Sequence, residues 1–536
     1  MHGAVQMRAD VRSVLWIKFV TMLLVVLATT VLPRVANISA PPSTDEGYMA
    51  YFAMKIAASV SSHGRLPDDG PLMLYPMLLS WIFELPGNHS VLLRIADLVV
   101  ASVAGGLLFF VLLKESRSVL AAAAISSLFL LTMNAAVFVQ YGFKNSFFAA
   151  YVPLLAALLL SGKDGPLSAR RYASIGALVA LGVLLRETLA PFVVFAVAAI
   201  WISRGFRSTL HFCAGGAAAG LSLLALIALW RGDFEGVAAG YKSAGLLYRA
   251  LENQRQEYFN NALSGFFATA RLPLILATAS LLIIVLRQWM RRNACELPKA
   301  TLWLGITLTA LIEPTTKIGF PYHFAVCLLG LAGLCAQGWR VLIQGRPPRQ
   351  AHAAASLFAA ATALMIAPQI KDALKTLPYA TREAYRVARS GWPAEIVNQS
   401  NYLMAARLIQ ATTPPAGTVS VSGFMFSLYP LSGTLPPSGE LSNLSAELIQ
   451  LGLDGERLKA ELIRCSPDVV MTTTRVDWPD PRILTAAVEA TGLYEAAGTI
   501  PVDTSKSYGT FGGTVYRKTK PGGHACRDRG NANWAQ

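Results

Sequence analysis

The sequence predicts an α-helical polytopic membrane protein, with about eleven transmembrane helices and a small C-terminal α/β domain outside the membrane. Three observations predict it. Only 14% of residues are charged and 54% are hydrophobic, against about 25% charged in soluble domains. Eleven apolar runs occupy residues 14–369, most of them near the ~20 residues a bilayer span needs. The loops between them alternate in character, and every second one is net basic.

Arg8, Arg12 and Lys18 precede or open the first run, Val14 to Leu32. It reads as an uncleaved helix with a cytoplasmic N-terminus. A cleaved signal peptide is the alternative, although Val35-Ala36-Asn37 matches a cleavage site only loosely. Residues 33–89 form the first outer loop. Within it, Tyr48 to Ser62 is amphipathic and suits a helix lying on the membrane surface. Residues 64–71 are turn-rich, and Leu72 to Phe83 is apolar but too short to span.

Ten further spans are expected at 90–113, 118–139, 145–161, 172–185, 188–203, 209–230, 272–289, 300–312, 320–344 and 351–369. Alternation then puts Lys114 and Arg117, Lys163 with Arg170 and Arg171, Arg204 and Arg207, Arg287 with Arg291 and Arg292, and Arg340 with Arg346 and Arg349 on the inner side. All of these loops are basic, as the positive-inside rule requires. The outer loops are 33–89, 140–144, 186–187, 231–271 and 313–319, which places Asp45, Glu187, Glu313 and Lys317 outside.

Residues 1–369 thus form a membrane domain, 370–518 a soluble domain and 519–536 a disordered tail. In the soluble domain Thr418 to Ser422, Val469 to Thr473 and Thr514 to Arg517 read as strands. Leu444 to Ile463, broken near Gly452 and Gly455, and Pro481 to Thr491 read as helices.

The net charge of +15 falls largely in short loops, where it directs topology and does not imply nucleic acid. Six cysteines form no CxxC pair, so no metal site is expected from them. Cys465 and Cys526 share the outer compartment and are free to pair there, with no spacing that defines a bridge.

An ionised Asp within hydrogen-bond reach takes the proton of an acceptor hydroxyl. If the donor group is carried on a lipid phosphate, the leaving group is a weak base and needs cations, unlike hydrolysis by a carboxylate pair. Asp45 is the outer carboxylate next to a membrane helix, and Arg65, Lys144, Arg186, Lys242, Lys317 and His323 are cations at outer edges. Each has a plainer reading. Asp45 fits a cap of the surface helix with Glu46 in its first turn, and Lys144 fits a snorkelling helix end. Arg94 and Asp97 are spaced for an i,i+3 ion pair. Arg186 and Glu187 suit a tight turn or a structural pair. Lys317, Tyr322 and His323 suit interface anchoring.

Several motifs together resemble the membrane-embedded GT-C glycosyltransferases that use polyprenyl-phosphate sugars, among them protein O-mannosyltransferases and aminoarabinose transferases. They are Asp45-Glu46-Gly47-Tyr48, Gly64-Arg65-Leu66-Pro67, Leu74-Tyr75-Pro76, Arg94-Ile95-Ala96-Asp97, Glu313-Pro314 to Lys317 with Tyr322-His323, and the segments 418–433 and 466–470. The resemblance implies that Asp45 is the base of an inverting hexosyl- or pentosyltransferase. It implies that Glu46 supports Asp45 or holds a divalent cation with it. Lys317 and His323, with Arg65 and Lys144, would sit at the donor phosphate. Tyr48, Tyr75, Asn145 and Tyr322 would contact substrate. The implied partners are a polyprenyl-phosphate-linked sugar and a lipid, glycan or protein acceptor, at the periplasmic face of a bacterial inner membrane.

One departure stands out. Where many relatives carry an acid in the second outer loop, this chain reads Gln140-Tyr141-Gly142-Phe143-Lys144-Asn145-Ser146, so no second acidic residue carries over. Two other classes fit the composition. A transporter or lipid flippase predicts ionisable groups in mid-span and repeated halves; here the charges gather at span edges. A non-catalytic subunit of an envelope assembly predicts indifference to Asp45→Asn.

Overall fold

A computed structural model describes residues 2–42, 44–67, 74–135, 138, 146–161, 167–231, 252–291, 297–316, 321–423, 425–437, 440–474, 481–502, 511–522 and 526. The chain begins with α1 (His2–Val35), α2 (Thr44–His63) and α3 (Leu74–Leu79). The bundle continues through α4 (His89–Ser116), α5 (Val119–Met133), α6 (Ser146–Ser161), α7 (Ala169–Leu185), α8 (Ala190–Arg204) and α9 (Phe206–Arg231). Next come α10 (Glu252–Thr269), α11 (Arg271–Arg291), α12 (Leu297–Ala310), α13 (Ile312–Thr316), α14 (Pro321–Ala325), α15 (Cys327–Ile343) and α16 (Pro348–Ser390).

In its described residues, each of the eleven expected apolar runs is largely helical. Among the described residues, seven helical stretches are long and apolar enough to cross a membrane: Trp16–Val35, His89–Ser116, Glu187–Arg204, Phe206–Trp230, Arg271–Met290, Tyr322–Ile343 and Pro348–Ser390. The other four runs form α5, α6, α7 and α12, of 14 to 17 residues. The molecule is a membrane protein.

α15 is the central helix, buried from Cys327 to Val341. It approaches its neighbours closely because small residues face them. A Cβ at Gly333 would lie 1.9 Å from the Trp303 ring, and one at Gly330 would lie 2.2 Å from Thr307 Oγ1. At the end of the bundle away from the sheet domain, basic residues expected in inner loops meet helix carbonyls. Lys114 Nζ donates to Leu158 O at 2.6 Å and Arg171 Nε to Leu160 O at 2.8 Å. Arg287 reaches the carbonyls of Val341 and Gln344. Cations belong at such C-terminal carbonyls because the exposed C=O groups carry negative partial charge.

Two expectations are corrected here. The outer loop placed at 231–271 contains α10, whose Phe259 and Phe266 lie against Phe324 at 5.7 and 5.4 Å. Phe259, Ala262 and Phe266 recur at helical spacing, a pattern diluted in hydropathy by the Gln and Asn around them. The last span, expected to stop at 369, continues as α16 to Ser390. Hydropathy registers only the apolar part. Beyond it, Leu377, Ala384, Val387 and Ala388 form a stripe that packs on Val35, Ile38 and Val91, and that stripe keeps the chain helical.

The sheet domain follows α17 (Ala394–Asn398) and α18 (Asn401–Thr412). Its strands are β1 (Val419–Val421), β2 (Val469–Thr473), β3 (Tyr494–Ile500) and β4 (Gly513–Lys518), in the order β1-β2-β4-β3. β1 runs parallel to β2, and the other pairs are antiparallel. Side chains alternate across the sheet. Val469 and Met471 face α18, and Val470 faces α21 (Gly455–Cys465) and α22 (Pro481–Ala490). The expected helix over 444–463 is broken as read, into α20 (Leu444–Gln450) and α21, with α19 (Leu428–Ser432) preceding both. β3 was not expected: Tyr494-Glu495-Ala496-Ala497-Gly498 is poor in β-branched residues, and its pairing with β4 overrides that propensity. Cys465 and Cys526 form a disulfide. Most of the 519–536 tail lies outside the described residues.

Candidate functional site

Asp45, Glu46 and Gly47 lie in the first turn of α2, where unsatisfied N–H groups and the helix dipole favour negative charge. The side chain of Asp45 lies outside the described residues, and that of Glu46 is held from below by α4. Arg94 Nε donates to Glu46 Oε1 at 3.0 Å and Nη2 to Oε2 at 2.8 Å. The same guanidinium donates to the carbonyls of Asn37, Ile38, Ala40 and Pro41. Arg94 therefore shapes the turn that delivers the chain to Asp45. An Arg does this because its planar fork presents five donors at once.

The expected i,i+3 pair between Arg94 and Asp97 is not formed. Asp97 pairs instead with Arg34 at the end of α1, both almost fully buried. Arg34 also lies over the ring of Phe148 at 4.6 Å, at the start of α6. The two α4 charges point to different elements, so local spacing misled. The signal for Arg34 was a charge at the end of an apolar run, which in a membrane helix demands a partner.

α2 also meets the sheet domain. Tyr51, 1% exposed, packs on Phe426 and Tyr429 with ring centroids 5.2 and 4.8 Å away. Tyr48 contacts Phe426 at 5.1 Å. A Cβ at Gly47 would sit 2.4 Å from the backbone nitrogen of Ser427, so only glycine admits this approach. Between these parts lies a cavity of about 40 Å³, lined among others by Pro42, Glu46, Tyr75, Arg94, Asp97 and Pro430. Pro42 and Glu46 flank Asp45 in the chain.

A second buried cluster lies among α7, α13 and α14. Arg186 Nε and Thr188 Oγ1 donate to Glu313 Oε2 at 2.9 and 3.0 Å. His323 Nε2 lies 3.5 Å from Glu313 Oε1, and Tyr322 packs edge-on against His323. Arg186 sits at the short turn Glu187–Leu189 between α7 and α8 and pairs with Glu313, 127 residues away. Burial of a charge this deep requires such a partner. Leu185 and Leu189 beside it share an apolar cluster with Tyr75.

The expected site residues therefore divide. Glu46 and Tyr75 line the cavity, and Tyr48 flanks it on the sheet-domain side. Tyr322 and His323 belong to the second cluster. Arg65 is exposed past the end of α2. Lys144, Asn145 and Lys317 lie outside the described residues. Both oxygens of Glu46 accept from Arg94, which fixes the orientation of the carboxylate. Among the described residues no group of three His, Cys, Asp or Glu side chains is placed to hold a metal.

No protein-family model matches the sequence, and no curated protein matches it. The structure, however, is similar to ArnT from Cupriavidus metallidurans, solved bound to undecaprenyl phosphate. The TM-score is 0.54 at 14% identity, over 93% of this chain and 97% of that one. The chain has a GT-C fold. The likeness covers 93% of the chain, helices and sheet domain together. Within this GT-C frame α2 and the α4 start form one wall and Pro430 of α19 belongs to the other.

Proposed function

We propose that this chain is an inverting glycosyltransferase. It moves a sugar from a polyprenyl-phosphate donor to a hydroxyl of a lipid, glycan or protein acceptor. We place the N-terminus in the cytoplasm and the sheet domain in the periplasm of a bacterial inner membrane. The observation that supports this best is the GT-C fold over nearly the whole chain, with an acidic helix start braced at the rim of the cavity between membrane helices and sheet domain.

In this reading Asp45 takes the acceptor proton as the acceptor oxygen attacks the anomeric carbon. The bond from that carbon to the phosphate oxygen breaks, and polyprenyl phosphate leaves with the electron pair. A single displacement inverts the anomeric centre. Glu46 and Arg94 fix the helix start so that Asp45 meets the hydroxyl within hydrogen-bond reach. Arg65, Lys144 and Lys317 are the cations assigned to the leaving phosphate. His323 supports them through the Arg186–Glu313 pair, since its ring is buried against Glu313. Tyr75 and Asn145 contact the sugar, with Tyr48 and Tyr322 as further candidates.

The test is transfer from a set of synthetic polyprenyl-phosphate sugars by purified wild-type and Asp45→Asn protein, with and without chelator. Wild-type transfer that disappears in the variant is expected. Full activity of Asp45→Asn would remove Asp45 from the mechanism, and failure of every donor even to bind would remove the reaction class.

A further inference from the structure

Asp97 is 2% exposed, and it lines the cavity beside Glu46 and Arg94. Arg34 engages its Oδ2. Its Oδ1 is buried and has no hydrogen-bond partner among the described residues. A buried carboxylate oxygen left in this state is costly, and such groups in native proteins are satisfied by water or by a ligand. The space here is polar on this side and roomy enough for a few water-sized groups, since about 12 Å³ suffices for one. It has room for a hydroxyl-bearing edge of a sugar ring.

An ionised carboxylate accepts hydrogen bonds and donates none. The group it fits is therefore an O–H or N–H donor. The carbonyls around Arg94 are already occupied by that guanidinium, and both Glu46 oxygens are engaged. Among the side chains that line the cavity, Asp97 Oδ1 is thus the buried oxygen left without a hydrogen-bond partner among the described residues. Arg34 holds the carboxylate in place from behind, and its guanidinium is itself fixed over Phe148.

We propose that Asp97 Oδ1 accepts a hydrogen bond from one sugar hydroxyl, which makes Asp97 a specificity-determining contact. The proposal rests on the glycosyltransferase reading and deepens it. A hydroxyl read by a buried acceptor is strongly selected, because its absence leaves the acceptor unpaired.

The experiment measures binding of undecaprenyl phosphate without sugar, of undecaprenyl-phosphate hexoses and pentoses, and of their monodeoxy counterparts, to the full-length protein. Wild type is expected to bind one hydroxyl-bearing donor roughly tenfold or more tighter than its deoxy counterpart at a single position, as a hydrogen bond to a charged group implies. In Asp97→Asn that preference should fall severalfold or more, while bare undecaprenyl phosphate binds as before. Equal losses for the bare and sugar-bearing lipids would mean a structural role and overturn the proposal. So would a deoxy preference that survives in Asp97→Asn, or none in wild type, where a resident water would satisfy Oδ1. If wild type bound no sugar-bearing lipid, the glycosyltransferase reading itself would fall, and this contact with it. Should Asp97→Asn not fold, Ser90→Leu fills the same cavity without touching the ion pair. It should weaken sugar-bearing lipids selectively, and unchanged affinity for them would count against the proposal.

Discussion

Arg94 and Glu46 form a two-point ion pair across 48 residues of sequence, with N–O distances of 3.0 and 2.8 Å, almost out of contact with solvent. The pair ties the first turn of α2 to α4. Through the four carbonyls that Arg94 also holds, it ties down the turn at 37–41.

Removing Arg94 takes its two-point donor from the partly buried Glu46 carboxylate and its N–H groups from several carbonyls. Arg94→Ala should lower stability by about 3–5 kcal/mol, as expected when one partner of a buried pair is deleted. Arg94→Lys should recover only part, since one ammonium cannot reproduce the fork. Thermal unfolding in detergent measures this. An Arg94→Ala melting temperature equal to wild type would show that the pair braces nothing.

Gly47→Ala should separate α2 from the sheet domain. The new Cβ would meet Ser427 backbone at 2.4 Å, which neither element can relieve by a side-chain rotation. Overpacking of this kind costs about 1–3 kcal/mol. The expected signature is faster proteolysis around the Gly391–Pro393 connection, with the membrane bundle intact. Unchanged cleavage would mean that the interface adjusts.

The Cys465–Cys526 disulfide closes a loop with a sequence separation of 61. Chain-entropy reasoning gives it roughly 4 kcal/mol of stabilisation. Cys465→Ser should lower the melting temperature of the sheet domain, and reductant should do the same to wild type but not to the variant. A variant that melts with wild type would put the effect at zero.

Burial would raise the pKa of Asp468, but the Thr418 amide at 2.8 Å and Lys518 at 3.3 Å outweigh it and hold the carboxyl below its ordinary 3.8. A lowered folded-state pKa means stability that is present above the ordinary value and lost as pH falls through the folded one. The join between β1, β2 and β4 should therefore weaken below about pH 4. Asp468→Asn should be less stable than wild type at pH 7, with the difference shrinking towards pH 2. A constant difference at all pH values would refute the linkage.

The sequence by itself determined the membrane class, the eleven apolar helices, the acidic start of α2 and most of the sheet domain. Each is a local property. Apolar runs of span length have no other stable home, and alternating strand residues and helix-breaking glycines act within a few positions. Tertiary structure alone decided the partners of the charges. Arg94 and Asp97 are spaced to meet each other, yet they turn to Glu46 and Arg34; Arg186 sits beside Glu187 and pairs with Glu313. It also decided β3, α10 and the length of α16. A buried charge takes whichever opposite charge folding brings within reach, and a polar stretch becomes helix or strand when a neighbour covers its apolar stripe or pairs its edge. Neither condition is written at the position itself.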